Sequence, residues 1–173
     1  KLAAKAFSYT ARYDAIINNY FNILTKNDFP GILNITFTKL QNLRYGENPH
    51  QSASFYRDLF INESCVAIAK QLQGKELSFN NIVDIDAAFE LVKEFEKPTA
   101  SIIKHTNPSG VASANSINEA YKKAFDTDSK SAFGGIVALN RNCSRATAEL
   151  MKNVFLEVVI CPKFEKEALE ILK

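Results

Sequence analysis

Apolar residues recur at helical spacing almost from the first position: Ala6, Tyr9, Tyr13, Ile16, Ile17, Tyr20 and Phe21. That stripe predicts a helix from about Leu2 to Leu24. Asn27-Asp28-Phe29-Pro30-Gly31 then breaks the pattern. Alternation at Leu33, Ile35 and Phe37 predicts a strand over Leu33 to Leu40, and Ala53 to Tyr56 a shorter one. Val66 to Leu72 is apolar but fits a strand or a short helix, and Gly74 to Phe79 a loop or a strand. Ile85, Ala88, Phe89, Val92 and Phe95 mark one face of a helix that Asp84 can cap and Pro98 stops.

Thr99 to Ile103 is an apolar run that reads as a buried strand. It ends in Lys104-His105, and Asn107-Pro108-Ser109-Gly110 is expected to turn the chain just beyond. Ser116 and Glu119 have capping-box spacing before a helix with Ile117, Ala120, Tyr121, Ala124 and Phe125 on its buried side. Gly134-Gly135 precedes a strand over Ile136 to Leu139. A helix from about Ser144 to Asn153 and a strand over Val158 to Ile160 complete the series. Strands alternating with helices indicate an α/β layered fold with a mixed or parallel sheet.

At 173 residues, the chain suits one domain, or one domain with an attached segment. A compact chain of that length buries roughly 70% of its unfolded surface. Thirteen Phe and 46% hydrophobic residues are enough to build such a core. The net charge of +2 gives no strong field for nucleic acid or a membrane surface, and no apolar run reaches the roughly 20 residues that span a bilayer. Cys65, Cys143 and Cys161 are odd in number, widely spaced and without C-x-x-C. They read as small buried hydrophobes of a reduced, cytoplasmic protein. Both ends are abrupt: residue 1 is Lys, and the final stripe of Ala168, Leu169 and Leu172 has no stop signal. We expect a piece cut from a longer protein.

The chemistry gathers in punctuated loops, where a rigid scaffold carries sites. Both histidines are there, His50 in Glu47-Asn48-Pro49-His50-Gln51 and His105 beside Lys104. Lys104 and His105 stand at the C-terminal end of a strand, the edge where open α/β sheets bind ligands. A histidine takes a proton near neutrality, and a lysine ammonium stabilises a developing oxyanion or donates to a leaving nitrogen. Strand neighbours face opposite sides, so both reach one site only if the chain turns there. The alternative is a surface Lys beside a structural His. Arg44 offers a planar fork for phosphate, and Tyr45 a ring for stacking. Ser131-Ala132-Phe133-Gly134-Gly135 lets a ligand approach backbone N–H groups, or is only a tight turn. It has neither G-x-G-x-x-G order nor a Walker lysine. Asn80-Asn81 reads as a cap cluster or a ligand contact. A zinc nucleobase deaminase needs H-x-E and P-C-x-x-C. Here Asn107 and Ser109 stand where Glu and Cys would be, so no zinc site is expected.

Leu43 to Gln51, Ser78 to Asp84, Ile103 to Gly110 and Ser131 to Gly135 occur in one order and spacing that resembles the AICAR transformylase/IMP cyclohydrolase family of bifunctional purine biosynthesis proteins. The resemblance runs the length of the chain. It implies a three-layer α/β/α, cytidine deaminase-like fold with a mixed sheet and no zinc. Residues 1–32 would be the last helix of the cyclohydrolase domain and a linker, and 33–173 the first half of the transformylase domain. The implied reaction moves a formyl group from 10-formyltetrahydrofolate to the 5-amino group of the AICAR nucleotide, in a cytoplasmic homodimer that also cyclises FAICAR to IMP. By resemblance His105 is the base and Lys104 the acid or charge stabiliser. Arg44, Tyr45, His50, Asn81, Phe133 and Gly134 match substrate-binding positions, with Arg44 a phosphate contact, and Glu157 falls where the family places an acidic contact. Ser109 stands where many members have Cys, a thiol on which the family mechanism does not depend. The fragment is expected to be inactive alone. A non-catalytic nucleotide-binding or assembly module using the same loops is the competing reading.

Overall fold

The computed structural model describes residues 1–173. They divide into two units, Lys1–Leu40 with Tyr56–Asn62, and Gln41–Phe55 with Glu63–Lys173. In chain order the elements are α1 (Leu2–Leu24), β1 (Phe37–Asn42), β2 (Ser54–Asp58), α2 (Phe79–Lys93), β3 (Thr99–Lys104), β4 (Asn107–Ser113), α3 (Ile117–Thr127), β5 (Gly135–Leu139), α4 (Arg145–Met151), β6 (Leu156–Ile160) and α5 (Lys166–Ile171).

In the first unit α1 has the predicted bounds but buries none of its residues. The segment after it folds back through asparagine pairs: Asn34 Nδ2 donates to Asn18 Oδ1 at 2.9 Å, and Asn19 Nδ2 to the Asn34 carbonyl at 3.0 Å. The strand expected over 33–40 starts later, at Phe37. Leu33, Ile35 and Phe37 are all more than half exposed, so their alternation marks no buried face. β1 and β2 form a two-stranded sheet, and each strand has residues in both units.

The second unit is built on a mixed sheet of order β4-β3-β5-β6. β3 is antiparallel to both β4 and β5, while β5 and β6 are parallel. Side chains alternate across it as the pleat requires. Ser101, Ile103, Ile136 and Ala138 face α2, where Ile85, Ala88 and Val92 pack on Ile103, Ile136 and Ala138, and Ser101 Oγ donates to the Ala88 carbonyl at 3.0 Å. Ala100, Ile102, Val137 and Leu139 face the other way, onto Ala120, Tyr121 and Ala124 of α3, Ala148 and Met151 of α4 and Ala168 of α5. The chain is therefore α/β with a mixed sheet whose central strands are covered on both faces.

Three expectations are corrected here. The second helix begins at Phe79, not at an Asp84 cap. Ser78 is its N-cap: Ser78 Oγ accepts the Asn81 N–H at 3.2 Å, and Asn81 Oδ1 accepts the Ser78 N–H at 2.9 Å. Asn has taken the place of the usual Glu or Gln in this capping box. Asn107-Pro108-Ser109-Gly110 is strand rather than turn. The chain has already reversed through His105 and Thr106, and β4 is an edge strand, where a proline costs no ladder bond. Lastly, Lys104 and His105 end an antiparallel strand at the level where the parallel pair β5 and β6 begins, so the ligand-edge rule for parallel sheets does not describe their position. The Ser116 capping box is half made. Ser116 Oγ accepts the Glu119 N–H at 3.3 Å, but the Glu119 carboxylate pairs with Lys123 at 2.8 Å. Val66 to Leu72 holds only a 3-10 turn over Val66–Ile68.

Candidate functional site

β3 and β4 are joined by a two-residue turn, with Lys104 paired to Asn107. His105 and Thr106 both have positive φ, 52° and 60°, the signature of a type I′ hairpin, which Asn-Gly normally supplies. Non-glycine residues rarely adopt this conformation, and a β-branched one is an outlier. The turn is held from several sides. Thr106 N–H donates to Asp84 Oδ1 of α2 at 2.8 Å, and the His105 carbonyl accepts from Thr106 Oγ1 at 2.7 Å and Asn107 Nδ2 at 2.8 Å. The His105 side chain is left exposed at the tip. Lys104, half-buried, donates from Nζ to the Phe133 carbonyl at 2.9 Å.

That carbonyl belongs to the loop before β5. Gly134 has φ of 73°, open to glycine at little cost, and its N–H donates to the Phe155 carbonyl at 2.8 Å. The Phe133 and Phe155 rings lie 5.4 Å apart, both more than half exposed. The loop is braced by Asp128, which accepts from Ser131 N–H at 3.0 Å and Ser131 Oγ at 2.6 Å. Those bonds hold its carboxyl below the usual range.

Two bulges sit at one level of the sheet. Ile102 pairs with Gly110 and Ile103 with Pro108, leaving Ser109 extra. Gly135 pairs with Leu156 and Ile136 with Val158, leaving Glu157 extra. Bulges re-aim side chains and recur beside active sites. Glu157 Oε2 accepts from Asn81 Nδ2 at 2.6 Å, at the N-terminal end of α2.

The 43–51 loop is stitched to that same helix end. Arg44 N–H donates to the Leu77 carbonyl at 2.9 Å, Phe79 N–H to the Tyr45 carbonyl at 3.2 Å, and Asn80 Nδ2 to the Glu47 carbonyl at 3.2 Å. Arg44 lies over the Tyr45 ring, 5.0 Å from its centre. Tyr45 is thus bonded to the start of α2, Asn81 of the same helix to Glu157 of β6, and Phe155, just before β6, to Gly134 and Phe133, whose carbonyl holds Lys104. The hairpin tip that carries His105 is tied to α2 through the Thr106 N–H and Asp84. His50 is exposed in a turn of the 43–51 loop and is tied to none of the others. Sequence reading missed Asp84 as an anchor, Ser78 as the cap and Phe155 as the partner of Phe133 and Gly134. Only Ser78 had a local signal, its spacing to Asn81.

Two of the three cysteines, Cys143 and Cys161, are poor thiolate formers. Burial pushes the Cys143 thiol up to about 12 and the Cys161 thiol up to about 11. No three His, Cys, Asp or Glu side chains cluster as a metal-binding group.

The arrangement is that of an α/β protein presenting an ammonium, an imidazole, a carboxylate and an aromatic pair at one end of its sheet. A family model described as AICARFT/IMPCHase bienzyme matches residues 1–173, and the chain belongs to that family. It is 53% identical over 173 residues to the bifunctional purine biosynthesis protein PurH of Bacillus cereus strain G9842, and equally to that of Bacillus anthracis strain A0248. Each match covers 100% of this chain and 34% of the relative. The chain thus spans about a third of the length of the curated relatives it matches.

Proposed function

We propose that this chain carries half of a formyl-transfer site. In it the 5-amino group of the AICAR nucleotide attacks the formyl carbon of 10-formyltetrahydrofolate. A C–N bond forms to the amine and the bond from the formyl carbon to N10 breaks. His105 takes the proton that the amine loses. The Lys104 ammonium stabilises the oxyanion that develops on the formyl oxygen, and N10 leaves with the proton that the His105 imidazolium hands back, which restores the neutral base. An amine conjugated to an imidazole is a poor nucleophile, so the step needs both a base and charge stabilisation. One N–H of Lys104 is committed to the Phe133 carbonyl, which aims the ammonium and leaves two donors for a ligand. Arg44, Tyr45, His50, Asn81, Phe133, Gly134 and Glu157 form the nucleotide's side of the site, with Arg44 on the phosphate.

The observation that carries this reading is the strained tip at His105-Thr106. Two non-glycine residues in the left-handed region cost about 1–2 kcal/mol each where Asn-Gly would be relaxed. Such strain persists where the surroundings enforce it, and it concentrates at functional sites. The family membership supports the reaction, and the relatives are named for purine biosynthesis.

The same reading extends to a cytidine deaminase-like, three-layer fold without zinc, with residues 1–32 the end of a cyclohydrolase domain and a linker and 33–173 the first half of the transformylase. The intact protein would be a cytoplasmic homodimer that also closes FAICAR to IMP, and these 173 residues would be inactive alone. The test is tetrahydrofolate release by the intact protein carrying this chain, with 10-formyltetrahydrofolate, in the presence and absence of AICAR. AICAR-dependent release is expected. AICAR binding with no release would overturn the reading in favour of a binding module.

A further inference from the structure

We propose that Asn81 is a positioning residue, which acts on the ligand through Glu157 rather than by touching it. The proposal rests on the formyl-transfer reading for the identity of the ligand, and on geometry alone for the role. Asn81 is only 8% exposed. Its Oδ1 accepts from both the N–H and the hydroxyl of Ser78, each at 2.9 Å. Both neighbours at that end are donors, so the amide oxygen has to be there and the amide nitrogen at the other end. The helix cap thereby dictates which way the amide points.

The nitrogen faces Glu157 and donates to Oε2 at 2.6 Å, a short, charge-assisted bond. Glu157 is otherwise an exposed carboxylate on a sheet bulge, and the bond fixes one of its oxygens. Oε1 then remains as an acceptor of defined direction. The capping box of α2 and the bulge of β6 are in this way one device. It holds an acceptor at the end of the sheet where Lys104 and Gly134 lie.

The polarity of the pair makes the test sharp. Asn81→Asp keeps an acceptor for Ser78 but turns an oxygen toward Glu157. Glu157→Gln alone gives its oxygen to Asn81 and turns its N–H groups toward the ligand. In the double variant Asn81→Asp/Glu157→Gln, the Gln nitrogen donates to Asp and its oxygen again faces the ligand. For the intact protein carrying this chain, each single variant is expected to raise the Kd for AICAR about tenfold, the loss of one good hydrogen bond. The double variant recovers most of it. Additive losses in the double variant, or an unchanged Kd in Asn81→Asp, would overturn the proposal. A second readout does not depend on AICAR. In 15N-labelled chain, one Asn81 side-chain amide proton is expected to be protected from exchange and to lose that protection in Glu157→Ala. An Asn81 amide indifferent to Glu157→Ala would overturn the geometry. Failure of AICAR to bind even the unaltered protein, with the amide result intact, would instead count against the functional reading.

Discussion

The Asp84 carboxylate accepts the backbone N–H of Thr106 at 2.8 Å, tying the middle of α2 to the tip of the hairpin that carries His105. A helix that also packs on the sheet through Ile85 and Ala88 is a rigid anchor. The bond helps pay for two left-handed residues in succession. Asp84→Ala is expected to lower stability by about 1.5–3 kcal/mol, the range for a hydrogen bond to a charged group. Chemical denaturation measures it. An unchanged midpoint would mean that the turn is held without Asp84.

The strain itself is measurable. Thr106→Gly relieves a β-branched residue at φ of 60° and is expected to raise stability by about 1 kcal/mol, offset in part by the greater freedom of glycine in the unfolded chain. Destabilisation in the same denaturation experiment would show that the Thr106 hydroxyl, bonded to the His105 carbonyl at 2.7 Å, contributes more than the strain removes.

Much of this framework was readable from the chain. The strand entered through Gly134-Gly135 and the buried stripe of α3 follow from apolar spacing, because packing and spacing agree there; the limits of α1 follow from spacing alone, since the helix buries none of its residues. The hairpin was legible as a strand ending in Lys104-His105, but its turn was placed two residues late. His-Thr has no turn propensity to read, and Pro108 and Gly110 mark other constraints. Gly110 is needed because a side chain there would strike the Ala124 carbonyl of α3. Glu157 was matched by family resemblance alone, while Asn81 also read from its neighbours as a cap or a ligand contact. Their bond links residues 76 positions apart, and no local pattern encodes it.

Gly110→Ala is accordingly expected to be severe. The clash is with helix backbone rather than a flexible side chain, so the loss should reach about 3 kcal/mol, the upper part of the usual overpacking range. Soluble yield and thermal midpoint report it. A midpoint within a degree of wild type would mean that α3 can move away from β4 freely.

Tyr121 is buried at 1% exposure, and its hydroxyl has no hydrogen-bond partner. Burial pushes its phenol up from 10.0 to about 12. The folded state therefore favours the neutral phenol. Its contribution is complete below pH 10 and is lost as pH rises from 10 toward 12. Tyr121→Phe should gain about 1 kcal/mol by removing an unpaired polar atom. Its advantage over wild type should widen between pH 10 and pH 12. Denaturation midpoints at neutral pH and at pH 11 measure both effects.

Asp128 works in the opposite sense. Its carboxyl is held below the ordinary 3.8 by the Ser131 hydroxyl and N–H. Its contribution is present above about pH 4 and is lost as pH falls through the lower folded-state value. Against Asp128→Asn, the wild-type protein should lose ground on acidification below pH 4. Parallel pH profiles would contradict the bracing role given to Asp128 in the Phe133-Gly134 loop.

The central claim is that His105 removes the proton from the attacking amine. The direct measurement is single-turnover formyl transfer from 10-formyltetrahydrofolate to AICAR by the intact protein, wild type against His105→Ala, with AICAR binding followed in parallel. The account predicts transfer slowed by at least about 100-fold, the lower end of what a general base contributes, with AICAR still bound. Normal turnover in His105→Ala would contradict it.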